Sequence, residues 1–288
     1  SRLSNALRAP SARMGSRLQA ALFSSDPKAV LLDKQSNGVA VLQLNRPEKH
    51  NAMNEAVISE IAAAVKDVQN SPDMRVLVFK AAGKSFCAGA DLEFFQKSRS
   101  QSKEDIMASS VALSSMLNEL NTLRIPTIAA VQGPAYGGGV GLVSCCDIAV
   151  GVQGATTFTL SEVKIGMIPA TISPYVVAAI GARNSRRYFV TAELFDAQKA
   201  QELGLLHHVV ADQAALEAWV DKRVAQLLNN GPNAVAESKR LVTDVANRPI
   251  DAALIQDTAE RLLAVRTHPE SAEGIDAFMS KRKASWCK

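Results

Sequence analysis

The chain has little of what most metal, redox and membrane chemistry needs. It has four cysteines, Cys87, Cys145, Cys146 and Cys287, and their spacing matches neither a zinc site nor a disulfide framework. That pattern fits a reducing compartment, with the adjacent Cys145 and Cys146 expected as small buried apolar residues. Four scattered histidines, His50, His207, His208 and His268, suggest no metal cluster, so no metal is expected. His207 and His208 precede "VV" in a strand-like stretch, which points to a structural role. No apolar run approaches the roughly 20 residues of a membrane span. There is no zinc finger and no aromatic-rich RNA motif, and a net charge of +4 is too small to argue for nucleic acid. It is compatible with a phosphate-bearing ligand.

The first 25 residues contain no Asp or Glu. They carry Arg2, Arg8, Arg13 and Arg17 among Ser, Ala and Leu, and acidic residues begin at Asp26. That composition predicts a mitochondrial (matrix) targeting segment over 1–25; the alternative is a disordered basic tail. The rest is long enough to bury a sizeable core.

From Val30 the pattern alternates. "AVLLDKQ" and "VAVLQLN" flank Asn37-Gly38, a hairpin turn. Asn54 is placed to cap the helix "NEAVISEIAAAVKDVQN". "RVLVFKA", "TIAAVQG", "IAVGVQ" and "TTFTL" read as strands, and "SKEDIMASSVALSSMLNELNTL" as a long helix. After about Thr171 the chain is almost all helical. The fold class is therefore α/β, with strands concentrated in the first two-thirds.

Three stretches could carry chemistry. "GKSFCAGADL" (83–92) follows a strand; Asp91 is placed to cap a helix "LEFFQ", and the Ala88 N–H could be left for a ligand. "GGGVG" (137–141) precedes a helix, where an N–H would gain from the helix dipole. Two N–H groups from two such loops can converge on one oxygen as an oxyanion hole. Glycine runs also serve simple close packing, so neither loop is specific alone. "FTLSEVKIGMIP" (158–169) holds Glu162 before an apolar stretch closed by Pro169. If buried there, its carboxyl would resist ionisation and could exchange a proton near neutral pH. The glycine run is neither a dinucleotide fingerprint nor a P-loop, because no βαβ setting and no Gly-Lys-Ser/Thr accompany it.

Together with "LNRPEKHNAMN" (44–54), "CCDIAV" and the terminal "FMSKRKASW", these blocks resemble the enoyl-CoA hydratase/isomerase (crotonase) family. The resemblance implies a spiral of ββα repeats over 26–200. A helical C-terminal trimerisation region would span 201–288, and the assembly would be a homotrimer or a hexamer of two trimers. It implies an acyl-CoA thioester as substrate, with coenzyme A belonging to the substrate rather than acting as a cofactor. It assigns the oxyanion donors to Ala88 and Gly138 and the proton transfer to Glu162. It places Arg46, Lys49 and Ala52 at the CoA, with Ala88, Gly89, Ala90, Asp91, Gly138 and Gly141 around the thioester. Phe278 and Lys281 would reach the CoA of a neighbouring subunit.

One departure stands out. Hydratases of this family carry a second glutamate two residues after the Gly-Gly-Gly, and this chain has Gly141. Three readings follow. The first is a 2-enoyl-CoA hydratase similar to the 3-methylglutaconyl-CoA hydratase branch, with Gly141 making room for a bulkier or carboxylated acyl group. The second is a Δ3,Δ2-enoyl-CoA isomerase using Glu162 alone. The third is a non-catalytic CoA-thioester or RNA-binding relative.

Overall fold

A computed structural model describes residues 28–91, 96 and 100–287. The expected targeting segment and the expected helix "LEFFQ" lie outside the described residues. The main sheet has six strands. Strand β1 (Val30–Lys34) pairs antiparallel with β2 (Val39–Leu44). β3 (Val76–Ala81), β4 (Thr127–Val131), β6 (Ile148–Val152) and β9 (His208–Val210) then follow in parallel. A smaller sheet has the order β5 (Ala135–Tyr136), β7 (Thr157–Thr159) and β8 (Phe195–Asp196).

The strands are apolar on both faces because both faces are covered. Leu77 and Phe79 of β3 face a core shared with helix α1 (Glu55–Gln69) and the end of α2 (Lys103–Asn121). Val76 and Val78 alternate onto the other face, against Leu216 and Val220 of α6 (Gln213–Leu228). The helix starts carry the expected chemistry. Asn54 Oδ1 accepts the Val57 N–H at 3.0 Å, and Ser102 and Asp105 form a reciprocal capping box. Helix α3 (Gly138–Ser144) begins inside the glycine run itself.

Helices α4 (Ser173–Thr191) and α5 (Ala197–Leu203) return the chain to β9. Here His207 Nδ1 accepts the Ala149 N–H at 3.1 Å and His208 stacks on Trp219, so both histidines are structural. β9 and α6 belong to the main sheet although they lie beyond residue 200. Three further helices follow, α7 (Pro232–Val245), α8 (Ala252–Arg266) and α9 (Pro269–Met279).

These last helices join the sheet at the end where β3, β4 and β6 begin. Lys239 Nζ bridges Asp147 at 2.8 Å and the Ile125 carbonyl at 3.1 Å. Arg75, just before β3, donates to the carbonyls of Trp286 and Asn230. Buried Thr127 completes the junction: its Oγ1 accepts the Asp147 N–H at 2.8 Å and donates to Asp147 Oδ2 at 2.9 Å. Thr127→Val keeps the shape and removes both bonds. It is expected to lower the unfolding free energy by about 1–2 kcal/mol in a urea titration.

Candidate active site

Four chain segments lie side by side at the end of the sheet where β2, β3 and β4 finish. They form a ribbon that continues the smaller sheet. Met53 and Ala90 make a parallel bridge, Cys87 and Ala135 make another, and β5 pairs with β7. Loop 46–53, loop 83–91, the glycine run and the Glu162 loop are thereby brought together.

Loop 46–53 turns twice in the left-handed region, at His50 (φ 51°) and Asn51 (φ 55°). Asn51 is buried and bonded on all sides. Its Oδ1 accepts the Arg46 N–H at 2.9 Å, and its Nδ2 donates to the carbonyls of Ala82 and Ser85, both at 2.8 Å. Asparagine tolerates this conformation and supplies both a donor and an acceptor, so it ties the exit of β2 to the exit of β3. The sequence reading did not single it out; an Asn three residues after a Pro-Glu turn was its only signal.

The structure corrects the role expected of Ala88. Its N–H donates to the His50 carbonyl at 3.0 Å and is not available to a ligand. The next residue, Gly89, has φ +91°, which reverses the alternation of the chain. Met53 N–H then donates to the Gly89 carbonyl at 2.7 Å and Asp91 N–H to the Met53 carbonyl at 2.9 Å. Between these two bonds the Ala90 N–H points away from Met53 and has no partner among the described residues.

The second expected donor is Gly138. It is the first residue of α3, where an N–H has no partner within the helix. The two loops touch here, since a Cβ on Gly89 would lie 3.7 Å from the Gly138 nitrogen. The free N–H groups of Ala90 and Gly138 are thus neighbours.

The glycines of the run serve different needs. A Cβ on Gly138 would meet the Met53 methyl at 2.5 Å, a flexible end that can move. A Cβ on Gly139 would lie 2.4 Å from the Cys87 carbonyl oxygen, which cannot. Gly139 is the residue that lets the two loops approach. Gly141 is buried, and a Cβ there would lie 2.3 Å from Ile172 Cγ2, so it has no surface for a substrate. The room expected for an acyl group is filled by the buried Ile172 side chain.

Glu162 opens a short 3-10 turn (Glu162–Ile165) directly after β7. Gly137, with φ +48°, leaves the carboxylate its space; a Cβ there would sit 3.0 Å from Glu162 Oε1. Oε2 is buried and without a hydrogen-bond partner among the described residues. Burial raises the carboxyl above the ordinary glutamate value, partly offset by a backbone hydrogen bond. The carboxyl therefore resists ionisation, as burial there was expected to make it do. The apolar residues that follow, Ile165, Met167 and Ile168, are exposed.

The remaining expected residues separate into two groups. Arg46 and Ala52 face inward: the Arg46 guanidinium reaches the Ala52 carbonyl at 2.9 Å and Asp91 Oδ2 at 3.1 Å, while Lys49 stays exposed. Phe278 and Lys281 do not reach this site. Helix α9 rests on Trp286, whose carbonyl is held by Arg75, at the start of β3. Ala90 lies beyond the far end of that strand, about 20 Å away at 3.3 Å per residue. Phe278 is 82% exposed, and Lys281 turns left-handed (φ 52°) to close α9. Within the basic run, Arg282 is committed to Glu273 and Asp276, and it holds the Glu273 carboxyl down at about 2.

A groove of about 530 Å³ opens elsewhere, between the outer face of β2, β3 and β4 and helix α6, lined by Gln43, Lys80, Gln132, Glu217 and Asp221 among others. It contains neither Glu162 nor either free N–H, so the chemistry is not there.

A carboxylate with one buried oxygen, beside two backbone donors without partners among the described residues, can protonate or deprotonate carbon next to a carbonyl while holding its oxygen. Known proteins match the chain along almost its whole length. The family described as enoyl-CoA hydratase/isomerase matches residues 34–288. A crotonyl-CoA hydratase of Syntrophomonas wolfei is 31% identical over 259 residues, covering 89% of this chain and 97% of that protein. The structure of an enoyl-CoA hydratase from Shewanella pealeana superposes with a TM-score of 0.85 at 39% identity, covering 90% and 96%. That of Pseudomonas aeruginosa AtuE gives 0.86 at 35% identity, covering 90% and 100%. The chain is an enzyme of the enoyl-CoA hydratase/isomerase (crotonase) family.

Proposed function

We propose that this enzyme adds water across the double bond of a 2-enoyl-CoA thioester. The observation that carries the reading is the buried, unpartnered Glu162 oxygen beside the Ala90 and Gly138 N–H groups. Attack of water at the β-carbon drives electrons onto the thioester oxygen. Two preorganised donors hold that oxyanion, and losing one donor costs about 3 kcal/mol in comparable sites. Glu162, ionised, takes a proton from the attacking water. The same carboxyl then gives a proton to the α-carbon as the enolate collapses. One carboxylate therefore suffices, and Gly141 does not argue against hydration.

The same economy supports a second reading. A Δ3,Δ2-enoyl-CoA isomerase needs one base that removes a proton from the α-carbon and returns it to the γ-carbon. Exposed Ile165, Met167 and Ile168, next to Glu162, support an apolar acyl chain in either case. A 3-methylglutaconyl thioester remains the branched, carboxylated candidate.

The helices α7–α9 would join copies of the chain. Val242, Ile255, Leu262, Leu263, Ile275 and Phe278 are exposed there, more apolar surface than a lone subunit leaves uncovered. In a trimer or hexamer, Phe278 and Lys281 would serve a neighbour's CoA, because they are remote from Glu162 of their own chain. The N-terminal segment would direct the enzyme to the mitochondrial matrix.

The test offers crotonyl-CoA, 3-methylglutaconyl-CoA and a 3-enoyl-CoA separately and separates the products by mass and chromatography. Gain of water on a 2-enoyl thioester is the expected result, with relative rates ranking the acyl groups. A shifted double bond without a mass change would establish the isomerase instead, and no reaction on any would overturn both.

A further inference from the structure

We propose that Arg46 is a positioning residue for the oxyanion donor at Ala90, not a ligand of coenzyme A. The inference rests on the reading of Ala90 and Gly138 as the donor pair.

The Ala90 N–H owes its direction to the two bonds that flank it, Met53 N–H to Gly89 O and Asp91 N–H to Met53 O. Both depend on Met53 and loop 83–91 keeping their register. Arg46 holds this register from the two sides at once. One arm of its guanidinium donates to the carbonyl of Ala52, the residue before Met53, at 2.9 Å. The other arm meets the carboxylate of Asp91, the residue after Ala90, at 3.1 Å. Asp91 is buried and the Arg46 side chain is only 17% exposed, so the pair is little screened by water. The Arg46 backbone is fixed as well, its N–H on Asn51 Oδ1 and its carbonyl accepting the Asn51 N–H, both at 2.9 Å. A guanidinium committed in this way has no arm turned to a phosphate at the entrance.

Arginine is required here because its planar fork spans two acceptors in fixed directions. A lysine ammonium is a single point on a flexible stem and cannot hold both. Arg46→Lys is therefore expected to leave the fold and the charge in place while loosening Ala90.

The experiment uses the full chain with a saturated, unreactive thioester, butyryl-CoA, isotopically labelled at the carbonyl carbon. Difference infrared spectra read the polarisation of the bound carbonyl directly. The wild-type enzyme is expected to shift the band to lower frequency. Arg46→Lys should return it most of the way to the solution value and lower kcat by up to about 100-fold, as misplacement by about an ångström does. KM and the affinity for free CoA should be unchanged. Arg46→Gln, which keeps a donor for Ala52 but loses the Asp91 charge pair, should move both readouts the same way; a melting curve checks that each variant is folded.

An unshifted band in the wild-type enzyme would overturn the donor-pair reading beneath the proposal. A shifted wild-type band that stays shifted in both variants would overturn the Arg46 assignment alone. Weaker CoA binding with kcat intact would also overturn it and return Arg46 to the coenzyme.

Discussion

Glu162→Gln is expected to lower kcat by about 10²- to 10⁴-fold, the usual contribution of a positioned acid/base, with KM little changed. Glutamine keeps the shape beside Gly137 but can neither take a proton from water nor give one to carbon. The donors at Ala90 and Gly138 stay in place, so binding persists while chemistry stops. Following the loss of the enoyl absorbance measures the effect, and a variant with full activity would remove Glu162 from the mechanism. The pH dependence has a definite sign. Burial raises the Glu162 carboxyl above its ordinary value, so the folded enzyme holds that proton more tightly than the unfolded chain does. The ionised base exists only above the raised value, and kcat/KM should therefore climb through a pH range above that of an ordinary glutamate. Stability runs the other way. Between the unfolded and folded values the native state binds more protons, so the Glu162 contribution falls as pH rises. The glutamine variant never ionises and is expected to melt at or above the wild-type temperature at neutral pH. An inactive, more stable variant would show that the protein keeps a partly buried carboxylate for function at some cost to its stability.

The sequence was most legible where one residue decides one local feature. The Asn37-Gly38 turn, the Asn54 cap, the two-faced apolar strands and the buried Cys145 and Cys146 all follow from local chemistry. Glu162 stood out as a carboxylate ahead of an apolar stretch, a pattern a surface-loop glutamate also gives, and the resemblance assigned it the proton transfer. The expectation failed at Ala88 because N–H direction depends on a dihedral angle. Gly89 at φ +91° turns the chain so that Ala90, not Ala88, presents its donor. No pattern of residue types fixes that angle in advance. The partner of Arg46 was hidden for a related reason. A basic residue near an anionic ligand is a reasonable reading until its partner is known, and Asp91 lies 45 positions away in sequence but 3.1 Å away in space.

Gly141→Glu is expected to destabilise the enzyme by about 3 kcal/mol or more in a denaturant titration, since it both overpacks a filled core and buries an unpaired charge. The first side-chain atom would lie 2.3 Å from Ile172 Cγ2 and 2.8 Å from Ile172 Cβ, inside van der Waals contact before any carboxylate is placed. Ile172 stands at the N-terminus of α4 and is 1% exposed, so it cannot swing into solvent without moving that helix. Ile172→Gly removes the obstacle and leaves a cavity of its own. Each single variant should therefore be destabilised. The double variant Gly141→Glu with Ile172→Gly should be more stable than the sum predicts, with a coupling of about 1–3 kcal/mol. Strict additivity would mean that the two side chains do not share the space. This pairing changes the meaning of the missing glutamate. Gly141 is not a vacancy awaiting a substrate group; it is half of a packed contact with Ile172. Restoring a second carboxylate requires rebuilding the contact between α3 and α4, not a single exchange.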